Sequence, residues 1–159
     1  MPVVWRLTAP DYAEALTGAG NRIFGARWNS PGRGVVYTAA HLSLAVLETY
    51  VHLAPAQRDA HPEFEAVCIS VPDDASATHV STTEFEKLMA APNPERACRA
   101  IGDRWLAADE DLMLTAPSVI VPEELNVMLN PLHPRMRDVS IVSMRRFRFD
   151  PRLVNRRRG

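Results

Sequence analysis

Arg27 and Arg33 stand in a loop built around Gly18, Gly20, Gly25, Gly32 and Gly34, so five of the chain's seven glycines fall within residues 18–34. Backbone N–H groups in such a loop are free to bind, and a guanidinium offers phosphate oxygens a two-pronged fork. Trp28 and Tyr37 add π-faces suited to stacking on a planar ring, and Tyr37 keeps a hydroxyl for hydrogen bonding. Glu48 lies between Leu47 and Tyr50 in a mostly apolar helical stretch, where a carboxylate is costly unless it meets a partner or faces a cleft. The same residues admit a purely structural reading. Arg27 and Glu48 would then form an ion pair, Tyr37 would be a half-buried strand residue, and Glu48 with His52 an i,i+4 surface pair.

Several chemistries are missing. There is no GxxxxGK[ST], GxGxxG, GxSxG or HExxH, so the strongest signals for nucleotide triphosphates, Rossmann cofactors, hydrolase elbows and zinc proteases are absent. The histidines at 41, 52, 61, 79 and 133 show no ligand spacing, and Cys68 and Cys98 form no CxxC. No metal is expected, and the cysteines read as reduced core thiols.

The elements that must position these residues follow from periodicity. Residues 3–7 read as a strand, Thr8 as the cap of a helix with Pro10 in its first turn and Leu16 near its end, and 35–38 as a second strand. Residues 41–53 form the clearest helix, with Leu44, Leu47 and Val51 as its apolar face. Residues 64–71 alternate as a strand that Pro72 stops. Ser81 with Glu84 predicts a capped helix, and Asn93-Pro94-Glu95 opens another through about 108. Residues 112–114 and 119–121 read as short strands flanking Pro117-Ser118. A helical turn is expected from Pro122 to Asn130, and a last strand over 139–149. This irregular mixture favours an α+β domain spanning 1–159, a small mixed or antiparallel sheet flanked by helices, over a doubly wound sheet.

At 159 residues the chain is long enough for one self-sufficient core. No run of 18 apolar residues and no leader pattern are seen, so a membrane span is not expected and a cytoplasmic location is. The formal charge of -1 hides an asymmetry. Residues 1–134 carry 9 Arg and Lys against 17 Asp and Glu, whereas 135–159 carry 9 against 2. That basic segment, with Phe147 and Phe149 among arginines and Arg156-Arg157-Arg158 at a solvated end, supports an alternative. The chain would be a non-enzymatic nucleic-acid-binding or interaction domain using its Arg-rich C-terminal strand. The acidic body and the missing reading motif oppose direct nucleic-acid binding.

The run GNRIFGARWNSPGRGVVYTAAHLSLAVLETYVH, the later stretch APSVIVPEELNVMLNPLHP and the leading Trp5-Arg6 resemble the RES domain. This family, named for Arg, Glu and Ser, supplies the toxins of bacterial toxin-antitoxin pairs. The motif blocks cover 5–53 and 112–134. The resemblance implies a fold like that of ADP-ribosyltransferase toxins and NAD+ as substrate, with no metal. It assigns the family's arginine to Arg27, its glutamate to Glu48 and its serine to Ser118. Tyr37 takes the aromatic position and Arg6 that of an early arginine.

On that basis Glu48, Arg27 and Tyr37 are the expected catalytic residues. Arg6, Arg27, Trp28, Tyr37, Ser118 and Asn126 are expected to bind NAD+, and Arg33 is a further phosphate candidate. Nicotinamide leaves NAD+ as a neutral molecule, so one carboxylate stabilising the developing positive charge can suffice where ordinary glycosidases need two. The ADP-ribose would pass to a protein acceptor or to water or phosphate, depleting NAD+ and arresting growth. The resemblance also implies a cognate antitoxin with a helix-turn-helix DNA-binding domain covering the active site. Ser118 is not expected as a nucleophile, since no base is placed to activate it. His133, in a Pro-flanked turn, is expected to be structural.

Overall fold

The computed structural model describes residues 2–154; the expected solvated end at Arg156, Arg157 and Arg158 lies outside the described residues. The strands are β1 (Val3–Thr8), β2 (Val36–Ala39), β3 (Phe64–Ser70), β4 (Ala77–His79), β5 (Met113–Pro117), β6 (Leu125–Leu129) and β7 (Ser140–Phe147). The helices are α1 (Ala19–Phe24), α2 (Leu42–His52), α3 (Pro55–Asp59), α4 (Thr82–Met89), α5 (Pro94–Ala108) and α6 (Pro151–Val154). The strands form one mixed sheet in the order β4-β5-β6-β2-β1-β3-β7. Among the described residues only the β4–β5 pair is parallel.

Strand alternation sorts the side chains onto two faces. Val4, Val36, Val67, Ile69, Val127 and Leu129 share one face, and the segment after β1 covers it with Ala13 and Leu16. The other face carries two packed groups. Phe85 of α4 and Cys98 and Trp105 of α5 lie on Leu114 and Met128, while Leu44 and Ala45 of α2 lie on Leu7 and Ala39. Asn126 pairs across the sheet with both Ala39 and Ala116, where these groups meet. The expected caps are present: Ser81 Oγ accepts from the Glu84 N–H, and Asn93 Oδ1 from the Arg96 N–H. Cys68 and Cys98 are free and buried.

Several local expectations are corrected. The helix expected after Thr8 is a single 3-10 turn, Pro10–Tyr12, entered from Ala9 with no side-chain cap. Arg6 donates from Nη1 to the Tyr12 and Ala15 carbonyls, which a continuing helix would have used itself. The glycine-rich segment contains a short helix, α1. In α2, Leu47 and Val51 are exposed, and the inward face is Leu44, Ala45 and, one turn on, Glu48.

Residues 119–121 are not a strand, and the expected helical turn to Asn130 is confined to the bend before β6. The ladder partners on both sides of β6 decide that outcome, since its backbone pairs with β2 and β5 at once. The end of the chain is also more folded than expected: Phe149 and Val154 are buried with Tyr50 and Phe64 against α2. Phe149 meets the rings of Tyr50, Phe64 and Phe147 edge-on at 5.5 to 5.6 Å. The aromatic half of the nucleic-acid alternative is thus engaged with the chain's own rings.

Candidate active site

Glu48 leaves the inward face of α2 toward the junction of β5 and β6. Its Oε1 accepts two hydrogen bonds, from Ser118 Oγ at 2.9 Å and from Asn126 Nδ2 at 2.7 Å. Oε2 has no hydrogen bond among the described residues. The carboxylate is therefore aimed by one oxygen while the other stays open. Neither structural alternative holds, because no ion pair joins Glu48 to Arg27 or to His52 among the described residues.

Ser118 follows directly on β5 and is fully buried. Its Oγ also accepts from the N–H groups of Ile120 and Val121, at 3.0 and 3.2 Å. These bonds fold the bend and leave the hydroxyl proton one direction, toward Glu48. Ser118, expected to bind substrate, here meets the catalytic candidate Glu48 directly. The bend is tied down again where the Ser118 N–H donates to Glu124 O, while the Glu124 carboxylate meets His41 Nδ1 at 2.5 Å. Asn126 keeps its Oδ1 and its second N–H clear of protein hydrogen bonds among the described residues.

Tyr37 is on the same sheet face as Asn126, two residues before Ala39, which places it roughly 7 Å along the strand from the Glu48 contact. Its hydroxyl accepts from the Trp28 N–H at 2.9 Å and donates to Asn29 Oδ1 at 2.7 Å. Burial pushes this phenol above its ordinary range, so it stays protonated and acts as a strut for the glycine loop.

Arg27 is at a corner of that loop and half-buried, close enough for its charge to act on the Tyr37 hydroxyl and the Cys98 thiol. Burial raises the pKa of that thiol, and the guanidinium opposes the shift. Arg33 is exposed. Trp28 is not a stacking surface: its ring is buried in the core against Phe85, with centroids 6.5 Å apart and an interplanar angle of 27°.

Arg6 is also displaced from the expected site. It pairs with Val67, on the face opposite Tyr37 and Asn126, because its neighbour Trp5 is the residue registered with Ala39. Its guanidinium is taken by the Tyr12 and Ala15 carbonyls, and burial lowers its pKa from the ordinary value. His133 is structural, as expected, its Nδ1 accepting from the Arg135 N–H.

Periodicity missed the two asparagines that shape the loop. Buried Asn29 donates from Nδ2 to the Arg33 carbonyl at 2.7 Å and also to the Asn21 carbonyl at 3.2 Å. Asn21 in turn brackets Val35, accepting from its N–H and donating to its carbonyl. Their signal is type alone: asparagine supplies both donor and acceptor where a loop must satisfy its backbone away from water. Among the described residues no cluster of three or more His, Cys, Asp or Glu is arranged to hold a metal, and no helix is long and apolar enough to cross a membrane.

Comparisons with known proteins agree with this architecture. The family model described as the RES domain matches residues 3–150. Curated relatives include a "Prs ADP-ribosylating toxin" from Sphingobium sp., 36% identical over 96% of this chain and 96% of the relative. A "Toxin Res" from Photorhabdus laumondii is 33% identical, over 96% and 97%. A chain of the M. tuberculosis MbcT-MbcA toxin-antitoxin complex shares the fold, with a TM-score of 0.72 at 17% identity, covering 96% of this chain and 86% of that one. With a family match across nearly the whole chain and relatives of this similarity along their full length, the protein belongs to the RES domain family.

Proposed function

We propose that the protein is the toxin of a toxin-antitoxin pair, an enzyme that cleaves the bond between nicotinamide and ribose in NAD+ and passes the ADP-ribose to an acceptor. The observation that carries this reading is the half-engaged carboxylate of Glu48, fixed through Oε1 by Ser118 and Asn126 with Oε2 open. The full-length similarity to a relative named as ADP-ribosylating supports a protein acceptor.

In this reaction the C–N glycosidic bond breaks and its electron pair returns to the pyridinium nitrogen, so nicotinamide departs neutral and no acid is required. Positive charge then grows at the anomeric carbon and ring oxygen of the ribose. Glu48 stabilises it electrostatically and holds a ribose hydroxyl, an arrangement that can supply several kcal/mol because the carboxylate is oriented before substrate arrives. The acceptor oxygen or nitrogen then bonds to that carbon and gives up its proton. Arg27 pairs with the pyrophosphate, Tyr37 borders the nicotinamide, and Asn126 offers its remaining amide hydrogen and carbonyl.

An antitoxin bearing a helix-turn-helix domain fits as the partner. Exposed apolar residues adjoin the Glu48 constellation in sequence: Leu47 before it, Val119 after Ser118 and Leu125 before Asn126. A contiguous apolar patch rimmed by polar groups marks an interface, and these side chains are the ones such a partner would cover. The test is incubation of purified protein with NAD+ labelled in the adenine moiety, with and without phosphate and cell lysate. Free nicotinamide and label on a protein band are expected. Label confined to small molecules reassigns the acceptor to water or phosphate, and no nicotinamide release overturns the reading.

A further inference from the structure

We infer that Asp103, acting with Arg99 from the same face of α5, is a positioning residue that fixes Arg27 for the substrate's pyrophosphate; this rests on the NAD+ reading above. Residues 26–29 form a tight turn, closed by the Ala26 N–H donating to the Asn29 carbonyl at 2.9 Å, with Arg27 and Trp28 at its two corners. Gly25 enters it at φ 71, where a Cβ would fall 2.7 Å from the Asn29 carbonyl oxygen.

Both legs of the turn are gripped by α5. Arg99 Nε donates to the Ala26 carbonyl at 2.9 Å. The Ser30 N–H donates to Asp103 Oδ1 at 2.9 Å, and Ser30 Oγ donates to Oδ2 at 2.6 Å. Between them Gly102 lets the helix touch the turn itself: a Cβ at 102 would stand 1.8 Å from the Trp28 carbonyl oxygen. Residues 99, 102 and 103 are spaced i, i+3, i+4 and share one helix face.

Both Asp103 oxygens are thus committed to Ser30, and bonds to ionised groups are the stronger class. Trp28 anchors the turn from below, in the core with Phe85. What this grip leaves to be oriented is the Arg27 guanidinium, which makes no ion pair among the described residues. A two-pronged contact with a pyrophosphate depends on direction as well as charge, so the turn's rigidity sets how well Arg27 meets the substrate.

The test is nicotinamide release by wild type, Asp103→Asn, Arg27→Ala and the double variant, with a thermal melt of each. Asp103→Asn keeps the side-chain shape but loses one acceptor for Ser30. It is expected to raise KM roughly tenfold with kcat within about threefold, and to add less than about twofold in the Arg27→Ala background. Ser30→Ala, which removes only the Oγ bond, should show the same dependence on Arg27 if Asp103→Asn folds poorly. An aspartate that merely stabilises the fold would lower the melting temperature with KM unchanged, or would multiply with Arg27→Ala; either result overturns the inference. No release by wild type overturns the NAD+ reading and this inference with it. Release by wild type with multiplicative variants overturns this inference alone.

Discussion

Asn126 and Glu48 are joined at 2.7 Å although 78 residues separate them, and the amide bonds the same carboxylate oxygen that Ser118 holds. One strand and one bend thereby converge on a single atom of a helix. Convergence of this kind restricts the rotation of a side chain without neutralising it, which suits a carboxylate meant to face a passing cation.

Removing either donor should loosen Glu48 unequally. Ser118→Ala also deletes the acceptor of the Ile120 and Val121 N–H groups, so it should cost about 1–3 kcal/mol of stability as well as activity. Asn126→Ala leaves the bend intact and should lower kcat roughly tenfold or more with a smaller change in melting temperature. Denaturation curves beside steady-state rates separate the two. Equal loss of stability in both variants would contradict the division of labour.

Arg6 is expected to matter for folding and little for substrate. Its guanidinium holds the Tyr12 and Ala15 carbonyls on the sheet face opposite Glu48. Arg6→Ala should destabilise by about 1–3 kcal/mol and leave the KM for NAD+ within about twofold of wild type. A rise in KM as large as that of Arg27→Ala would return Arg6 to the site.

Much of this arrangement was legible beforehand. Helix α2, the Ser81 and Asn93 caps and the alternating β3 follow from local periodicity and side-chain type, and the motif resemblance singled out Arg27, Glu48 and Ser118. What local pattern could not show was which face a residue would serve. Arg6 and Trp28 have the right types for substrate binding, but strand register turns one away and core packing buries the other. The segment 125–129 joined the sheet because both neighbouring strands needed a partner, a non-local fact. Asp103 carried no signal at all until Ser30, 73 residues earlier, was brought against it.

Two glycines should respond in opposite ways to alanine. Gly102→Ala forces a methyl group into the Trp28 backbone and should cost about 3 kcal/mol or more, displacing the Arg27 turn. Gly20, inside α1 with open space around its Cβ position, should gain about 0.5–1 kcal/mol from the same change. Chemical denaturation of both variants checks the contrast; a neutral Gly102→Ala would mean that α5 and the turn are not in contact.

The pairing of Arg135 with Asp74 should leave a trace in the acid range. Arg135 donates to Asp74 Oδ1 at 2.8 Å, and its hydrogen bond and charge hold that carboxyl below its usual value. A depressed carboxylate pKa adds stability that is complete above the ordinary aspartate value of about 4 and is lost as pH falls through the folded value. Arg135→Ala should therefore melt below wild type at neutral pH, by a small margin as befits an exposed pair, and the two curves should converge in acid. A gap that persists unchanged at low pH would assign the effect to packing or to the bond Arg135 donates to the Asp74 carbonyl.

The most direct test of the central claim compares wild type with Glu48→Gln in nicotinamide release from NAD+, each with a thermal melt. Glutamine keeps an oxygen that can accept from Ser118 and Asn126 but removes the negative charge. The melting temperatures should stay close while release falls by roughly 10²- to 10³-fold or beyond. A folded Glu48→Gln protein that releases nicotinamide at the wild-type rate would contradict the assignment.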